Sequence, residues 1–221
     1  MKIVEGYMPF KEYKTYYRIV GEPNPEKAPI ILLHGGPGST HNYFEVLDKM
    51  AEMDNRQIIM YDQIGCGESY VDNRPDLWTK EVWIEELMAL RKHLGLDEVH
   101  ILGQSWGGMQ LLEYICNYKP EGVKSIILSS TLPASWMWGQ ERHRMIKFLP
   151  EEMQKAIDYA TTNNDYSSPE YQAAEAEYMR RHAAGSYGEG DPECLTRPVK
   201  KGAEAYVVGW GPNEFTPLGT L

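Results

Sequence analysis

The chain has 221 residues and a mass of 25.3 kDa, with 42% hydrophobic and 24% charged residues; these are the proportions of an ordinary globular domain and exclude disorder, collagen and coiled coil. The net charge of −10 is spread along the chain, with 13 basic and 19 acidic residues up to position 130 and 9 and 13 beyond it, which argues against a nucleic-acid partner. No apolar run approaches the ~20 residues that span a bilayer, so no membrane partner is expected either.

In chain order, residues 2–8 and 15–20 read as an antiparallel pair of strands ahead of the turn-rich GEPNPEKAP. Four short β-branched segments follow, 30–33, 58–61, 99–102 and 123–128, each running into Gly, Ser or Asp and each read as a buried parallel strand. Between them, 43–53, 81–94 and 109–118 have helical spacing. This alternation predicts an α/β doubly wound sheet, fed at one edge by the hairpin. After Ser130 the pattern changes to helices at 136–148, 151–161 and 169–184, then to Pro- and Gly-rich loops around a short helical or irregular segment. The expected organisation is a sheet-bearing core over 1–130 and a helical unit over 131–221.

The opening MKIVEGYMPFKEYK has neither the apolar centre nor the small-residue cleavage site of a secretory signal, which predicts a cytoplasmic protein. Cys66, Cys116 and Cys194 are too few and too widely spaced for a disulfide framework or a CxxC metal site, and reduced thiols are expected.

Chemistry concentrates at strand ends. Gly103-Gln104-Ser105-Trp106-Gly107 lies between a strand and a helix, the context of a nucleophile elbow. There Ser105 occupies a strained turn, glycines two residues either side make room for the crossing backbone, and the Trp106 amide can donate to an oxyanion. His34-Gly35-Gly36-Pro37-Gly38 follows the strand IILL, and its second glycine, Gly36, is the candidate for the other oxyanion donor. Asp62, in DQIGCGES, precedes the serine and follows the wrong strand for the acid of a Ser, Asp, His order; it reads as a brace for nearby loop amides. Cys66 lacks a nominated histidine and is no nucleophile candidate.

HGGPG, DQIGCGES and GQSWGG, in this order and spacing, resemble the proline iminopeptidases, serine peptidases of the α/β-hydrolase superfamily. The helical stretch after Ser130 is similar to their cap, and WGPNEFT at 210–216 resembles the cap motif whose glutamate binds the substrate's free α-amino group. The resemblance implies an α/β-hydrolase fold with a helical cap, release of N-terminal proline from peptides, no metal or organic cofactor, and Glu214 as the amine anchor. Relatives acting on other amino acid amides share the motifs, so an amidase or broader aminopeptidase stays open, as does a non-catalytic ligand-binding protein. Trp136 and Trp138 are candidates for the proline pocket or for plain core packing. The family's second cap glutamate has no identifiable counterpart.

A serine needs a base, and the base needs an orienting acid. In this fold both follow the cap, where two more βα units would take about 45–60 residues, yet the sequence stops at Leu221. None of the six histidines suits the role of base. His34, His41, His93 and His100 precede the serine, and His143 and His182 sit among Arg142, Arg144, Arg180 and Arg181 on the cap helices, an environment that suits an exposed basic face. The expectation is a C-terminally truncated piece, inactive alone, with an apolar sheet edge at 123–128 that favours aggregation, dimerisation or incomplete folding.

Overall fold

The computed structural model describes residues 1–183 and 187–221. It contains one six-stranded sheet in the order β1-β2-β4-β3-β5-β6. Strands β1 (Ile3–Phe10) and β2 (Tyr13–Val20) form the expected hairpin, longer than the sequence suggests. Their two-residue connection holds Lys11 at φ 51°. β2 joins β4 (Ile58–Tyr61) in antiparallel register, and from there β4, β3 (Ile30–Leu33), β5 (Val99–Gln104) and β6 (Val123–Ser129) run parallel. The chain is thus an α/β fold with a mostly parallel sheet, as its alternating pattern predicts.

Two of the predicted helices break into different geometries. Residues 43–53 form a 3₁₀ stretch, His41–Leu47, followed by α1 (Asp48–Met53). The serine helix begins earlier than its apolar spacing implies, as α3 (Trp106–Glu113), and widens into a π turn at Tyr114–Tyr118. Between them, α2 (Lys80–His93) follows simple rules: the Thr79 hydroxyl accepts from the Val82 amide at 3.3 Å, and Arg91, Lys92 and His93 face the negative end of the helix dipole. Its buried stripe, Trp83, Ile84, Leu87 and Leu90, packs into the same core as Ile31, Ile59 and Ile101.

The same helix carries Glu86, fully buried, whose carboxylate accepts from the Ile64 amide at 2.9 and 3.0 Å and from the Thr15 hydroxyl. Burial outweighs these donors and pushes its pKa up to about 8 from the ordinary 4.5. Between those values the unfolded chain gains free energy by ionising and the folded chain does not. Stability therefore falls with rising pH across that window, by at most about 1.4 kcal/mol per pH unit. Glu86→Gln is expected to melt progressively higher than the parent as pH rises from 5 to 8, with the gap level above 8. A gap independent of pH would show that Glu86 is ionised in the folded chain.

Helices α4 (Ser135–Ile146), α5 (Glu151–Asn163) and α6 (Pro169–His182) build a separate apolar cluster around Ile157, Tyr171, Tyr178 and Phe215. The predicted end of the last of these at Ala184, and the following Gly185 and Ser186, lie outside the described residues. Two short helices, α7 (Glu193–Thr196) and α8 (Ala203–Gly209), punctuate the loop-rich remainder. Among the described residues no helix is long and apolar enough to cross a membrane.

β6 is the apolar sheet edge expected at 123–128, not a strand buried on both sides as its pattern alone suggests. Among the described residues it pairs with β5 alone, and Ile126, Ile127 and Leu128 are 36%, 46% and 43% exposed. The opposite edge, β1, mixes Glu5, Gly6 and Pro9 into its sequence, residue types that discourage further pairing; β6 has no such protection along Ile126–Leu128.

Candidate active site

Ser105 sits where β5 turns into α3, at φ 53° and ψ −121°, a conformation an L-residue adopts only under constraint. The constraint is visible. The Ser105 amide donates to the Ser129 carbonyl at 3.1 Å, and its own carbonyl accepts from the Gly108 amide at 2.9 Å and the Thr131 hydroxyl at 2.7 Å. Glycines on either side are obligatory: a Cβ on Gly103 would lie 2.3 Å from the Gly107 carbonyl oxygen, and one on Gly107 would lie 2.2 Å from that of Leu33. Trp106 opens α3, so its amide is one of the helix's unpartnered N-terminal donors.

The His34–Gly38 loop is bound to this turn through Tyr43. The Gly35 amide donates to the Tyr43 hydroxyl at 2.8 Å, and that hydroxyl donates to Gln104 Oε1 at 2.8 Å. The next amide, Gly36, has no intramolecular acceptor among the described residues. The indole of Trp106 is fixed too, donating to Gln63 Oε1 at 3.0 Å, while Gln63 donates to Gln110 at 3.1 Å. These buried amides make a continuous, satisfied relay beneath the turn.

A segment from the helical region clasps the glycine loops from above. The Gly202 amide donates to the Gly38 carbonyl at 2.8 Å and the Gly67 amide to the Lys200 carbonyl at 2.7 Å. Backbone meets backbone so closely that a Cβ on Gly202 would stand 2.5 Å from the Gly65 oxygen.

Gly36, Ser105, Trp106 and Glu214 line one cleft, together with Met109, Leu132, Trp138 and Trp210. All four residues singled out from the sequence are brought together. Trp138 and Trp210 meet edge to face at 5.9 Å and 82°. Trp136 points elsewhere, 62% exposed; two residues along a helix is a rotation of about 200°, so only one of the pair can face the cleft.

Glu214 is held by partners the sequence did not reveal. Arg142 Nη2 donates to Oε2 at 2.8 Å, the Tyr206 hydroxyl donates to Oε1 at 2.8 Å, and Trp138 Nε1 donates to the Glu214 carbonyl at 3.1 Å. The Arg142 guanidinium is itself buried between the rings of Trp138 and Tyr178, at 4.0 and 4.7 Å. Burial and the neighbouring Glu214 charge push the Tyr206 hydroxyl well above its ordinary pKa, so it remains a donor. Each carboxylate oxygen has one partner and keeps a lone pair for another donor. The signal that could have found Arg142 is helical spacing: Trp138 and Arg142 are four residues apart on one face.

Asp62 accepts from the His41 and Glu68 amides at 2.8 and 2.9 Å and from His41 Nδ1 at 2.7 Å, which fits its reading as a loop brace. Burial alone would raise its pKa, but His41 holds it below the usual carboxylate range. Burial likewise acts to lower His41, yet Asp62 and Glu45 outweigh it and push the imidazole up to about 9. Cys66 is buried, its thiol donating to the Gln63 carbonyl at 3.1 Å, and burial pushes its pKa well up. Among the described residues no group of three or more His, Cys, Asp or Glu is placed to hold a metal ion.

With this geometry in view, comparison with known proteins decides the family. The α/β hydrolase fold family matches residues 28–189. The proline iminopeptidase of Clostridium botulinum is 66% identical over all 221 residues, and that of Clostridioides difficile 61%. The chain belongs to the proline iminopeptidase family of α/β hydrolases. It spans 75% of the length of each of these two relatives. Among solved structures, the proline iminopeptidase of Mycobacterium smegmatis superposes with a TM-score of 0.83 at 30% identity, over 99% of this chain and 74% of that one. VinJ superposes with a TM-score of 0.86 at 29% identity, over the same shares. Membership of this enzyme family agrees with the motif resemblance in HGGPG, GQSWGG and GPNEF.

Proposed function

We propose that the chain carries the nucleophile, oxyanion donors and amine-recognising cap of a serine aminopeptidase that releases N-terminal proline from peptides. The supporting observation is that the Glu214 carboxylate shares a cleft with Ser105 and is pre-oriented by Arg142 and Tyr206. A peptide's free α-amino group donates to the remaining lone pairs of Glu214, and its first ring lies against Trp138 and Trp210. That places the first carbonyl over Ser105. Oγ attacks the carbonyl carbon while its proton passes to a base, the oxyanion is met by the Gly36 and Trp106 amides, and the amine leaves with the proton; water then repeats the sequence on the acyl-enzyme. Acyl transfer of this kind asks for no cofactor.

The base is supplied from outside these 221 residues, and the chain alone binds without efficient turnover. This rests on the histidines present, which are engaged elsewhere: His34 donates from Nδ1 to the Gly35 carbonyl and accepts at Nε2 from the Gln63 amide, and His41 is committed to Asp62 and Glu45. The residues before 131 act as the core and those after it as the cap. Nucleic acid and membrane are not partners, and the protein works in the cytoplasm.

Equilibrium titration tests the amine anchor directly. Glu214→Gln keeps an acceptor for Arg142 but removes the charge, and is expected to weaken prolinamide binding by about 10- to 100-fold, the value of a hydrogen bond to a charged group. Unchanged affinity would remove Glu214 from the site. Equal binding of prolinamide, alaninamide and phenylalaninamide would instead favour the broader aminopeptidase or amidase.

A further inference from the structure

The Gly36 amide belongs to the same peptide unit as the Gly35 carbonyl, and in a trans peptide the two point in opposite directions. His34 donates from Nδ1 to that carbonyl at 2.8 Å and accepts at Nε2 from the Gln63 amide at 3.0 Å. The direction of the Gly36 N–H is thereby set, away from the imidazole. Its distance from the nucleophile depends on a different contact. The Gly35 amide donates to the Tyr43 hydroxyl, which donates to Gln104 Oε1, both at 2.8 Å, and Gln104 immediately precedes Ser105. One hydroxyl thus ties the glycine loop to the strand end that carries the serine. The two segments abut there: a Cβ on Gly35 would lie 2.5 Å from Gln104 Oε1 and 3.1 Å from Ser105 Cβ. Tyr43 is itself braced, its ring against Phe44 at 4.4 Å in the apolar cluster that holds Leu32, Ile58 and Met60. Burial pushes its hydroxyl well above the ordinary pKa, so it stays a donor.

We infer that Tyr43 is a positioning residue for acyl transfer: through Gly35 and Gln104 it holds the Gly36 amide within reach of the oxyanion formed at Ser105. This rests on the proposed function, in which Gly36 is an oxyanion donor, and adds to it a residue that touches no substrate. Oxyanion donors act in the transition state, where a displacement of about an ångström is enough to cost rate. The amine and ring of a bound ligand, held by Glu214 and the two tryptophans, do not sense that displacement. Tyr43 therefore governs the rate at Ser105 and leaves affinity alone.

A fluorophosphonate reads that rate in the 221-residue chain. Ser105 Oγ forms a bond to phosphorus, fluoride leaves, the hydroxyl proton passes to the buffer, and the phosphoryl oxygen gains charge where an acyl oxygen would. Tyr43→Phe, which removes only the hydroxyl, is expected to slow labelling of Ser105 about 10-fold, a fraction of the ~10²–10³ lost with a whole oxyanion donor. Prolinamide affinity, measured by titration, is expected to stay within about 2-fold of the parent. Gln104→Met cuts the same tie at its other end. The double variant is expected to label no more than about 2-fold more slowly than the slower single variant, because one tie can be lost only once. Labelling of Tyr43→Phe at the parental rate while prolinamide still binds, or two slowings that multiply, overturns the positioning role and leaves the proposed function standing. Affinity that falls in step with the rate makes Tyr43 a general support of the loop and overturns the role as well. No labelling of the parent over days removes Ser105 as the nucleophile and overturns both.

Discussion

A fluorophosphonate is expected to label Ser105 of the 221-residue chain about 10²- to 10⁴-fold more slowly than it labels a serine peptidase whose nucleophile is paired to histidine, the usual contribution of a general base. The cause lies in the histidines, taken one by one. His34 is fixed as the Nδ1–H tautomer by a donor bond to Gly35 and an acceptor bond from Gln63, and burial lowers its pKa further, so it has no lone pair to offer. His41 is protonated at neutral pH between two carboxylates. His100 is the second residue of β5, five residues before Ser105 and roughly 16 Å away at the rise of an extended chain, and its Nδ1 lies 2.7 Å from Ser125 Oγ. His93 ends α2 beside the Tyr17 ring, and His182 packs on Tyr178. His143 is solvent-exposed on α4. Mass spectrometry of the labelled chain decides the matter: rapid stoichiometric modification of Ser105 means that a base is within reach, and His143→Gln then asks whether it is the one.

The second large effect concerns stability. Gly107→Ala places a methyl group 2.2 Å from the oxygen and 2.6 Å from the carbon of the Leu33 carbonyl, backbone atoms of a strand paired on both sides. Nothing there is free to swing away. Overpacking of this kind costs about 3 kcal/mol or more, which in a chain of this size lowers the melting temperature by roughly 6–12 °C. Gly188→Ala is the control, since its Cβ would meet nothing within 4 Å among the described residues. A shift of under about 2 °C for Gly107→Ala, followed by circular dichroism, would show that α3 can ride up from the sheet and that the elbow is looser than its contacts imply.

Much of this was open to reading in the residues. Strand and helix alternation fixed the parallel sheet, and the glycine spacing around Ser105 announced a turn that only a crossing backbone would require. Asp62 was legible as a brace because its position in the chain disqualified it from another role. What escaped was whatever depends on two distant segments meeting. Arg142 looked like part of an exposed basic run, with Arg144 beside it, and is instead buried against Glu214, 72 residues later. His41 gave no sign of an ion pair with Asp62, 21 residues on. The conversion of the predicted helices to 3₁₀ and π geometry at His41–Leu47 and Tyr114–Tyr118 is also a tertiary effect, for apolar spacing alone does not distinguish a helix that is slightly over- or underwound. The exposed apolar edge at β6, by contrast, was legible, since no later strand pattern follows 123–128 to pair with it.

The clasp between Gly202 and Gly38 bears on how this fold can be altered. Helical regions set above a sheet invite exchange between relatives as if they were independent parts. Here the helical region contributes, just ahead of α8, a backbone that hydrogen-bonds the loop carrying Gly36 and fits it with no room for a side chain. A transplanted helical region that moved position 202 by an ångström would drag the Gly36 amide with it. Grafts that keep residues 200–202 and their two amide bonds should preserve the geometry over Ser105, whereas grafts made at Ser130 alone carry a foreign contact into the site.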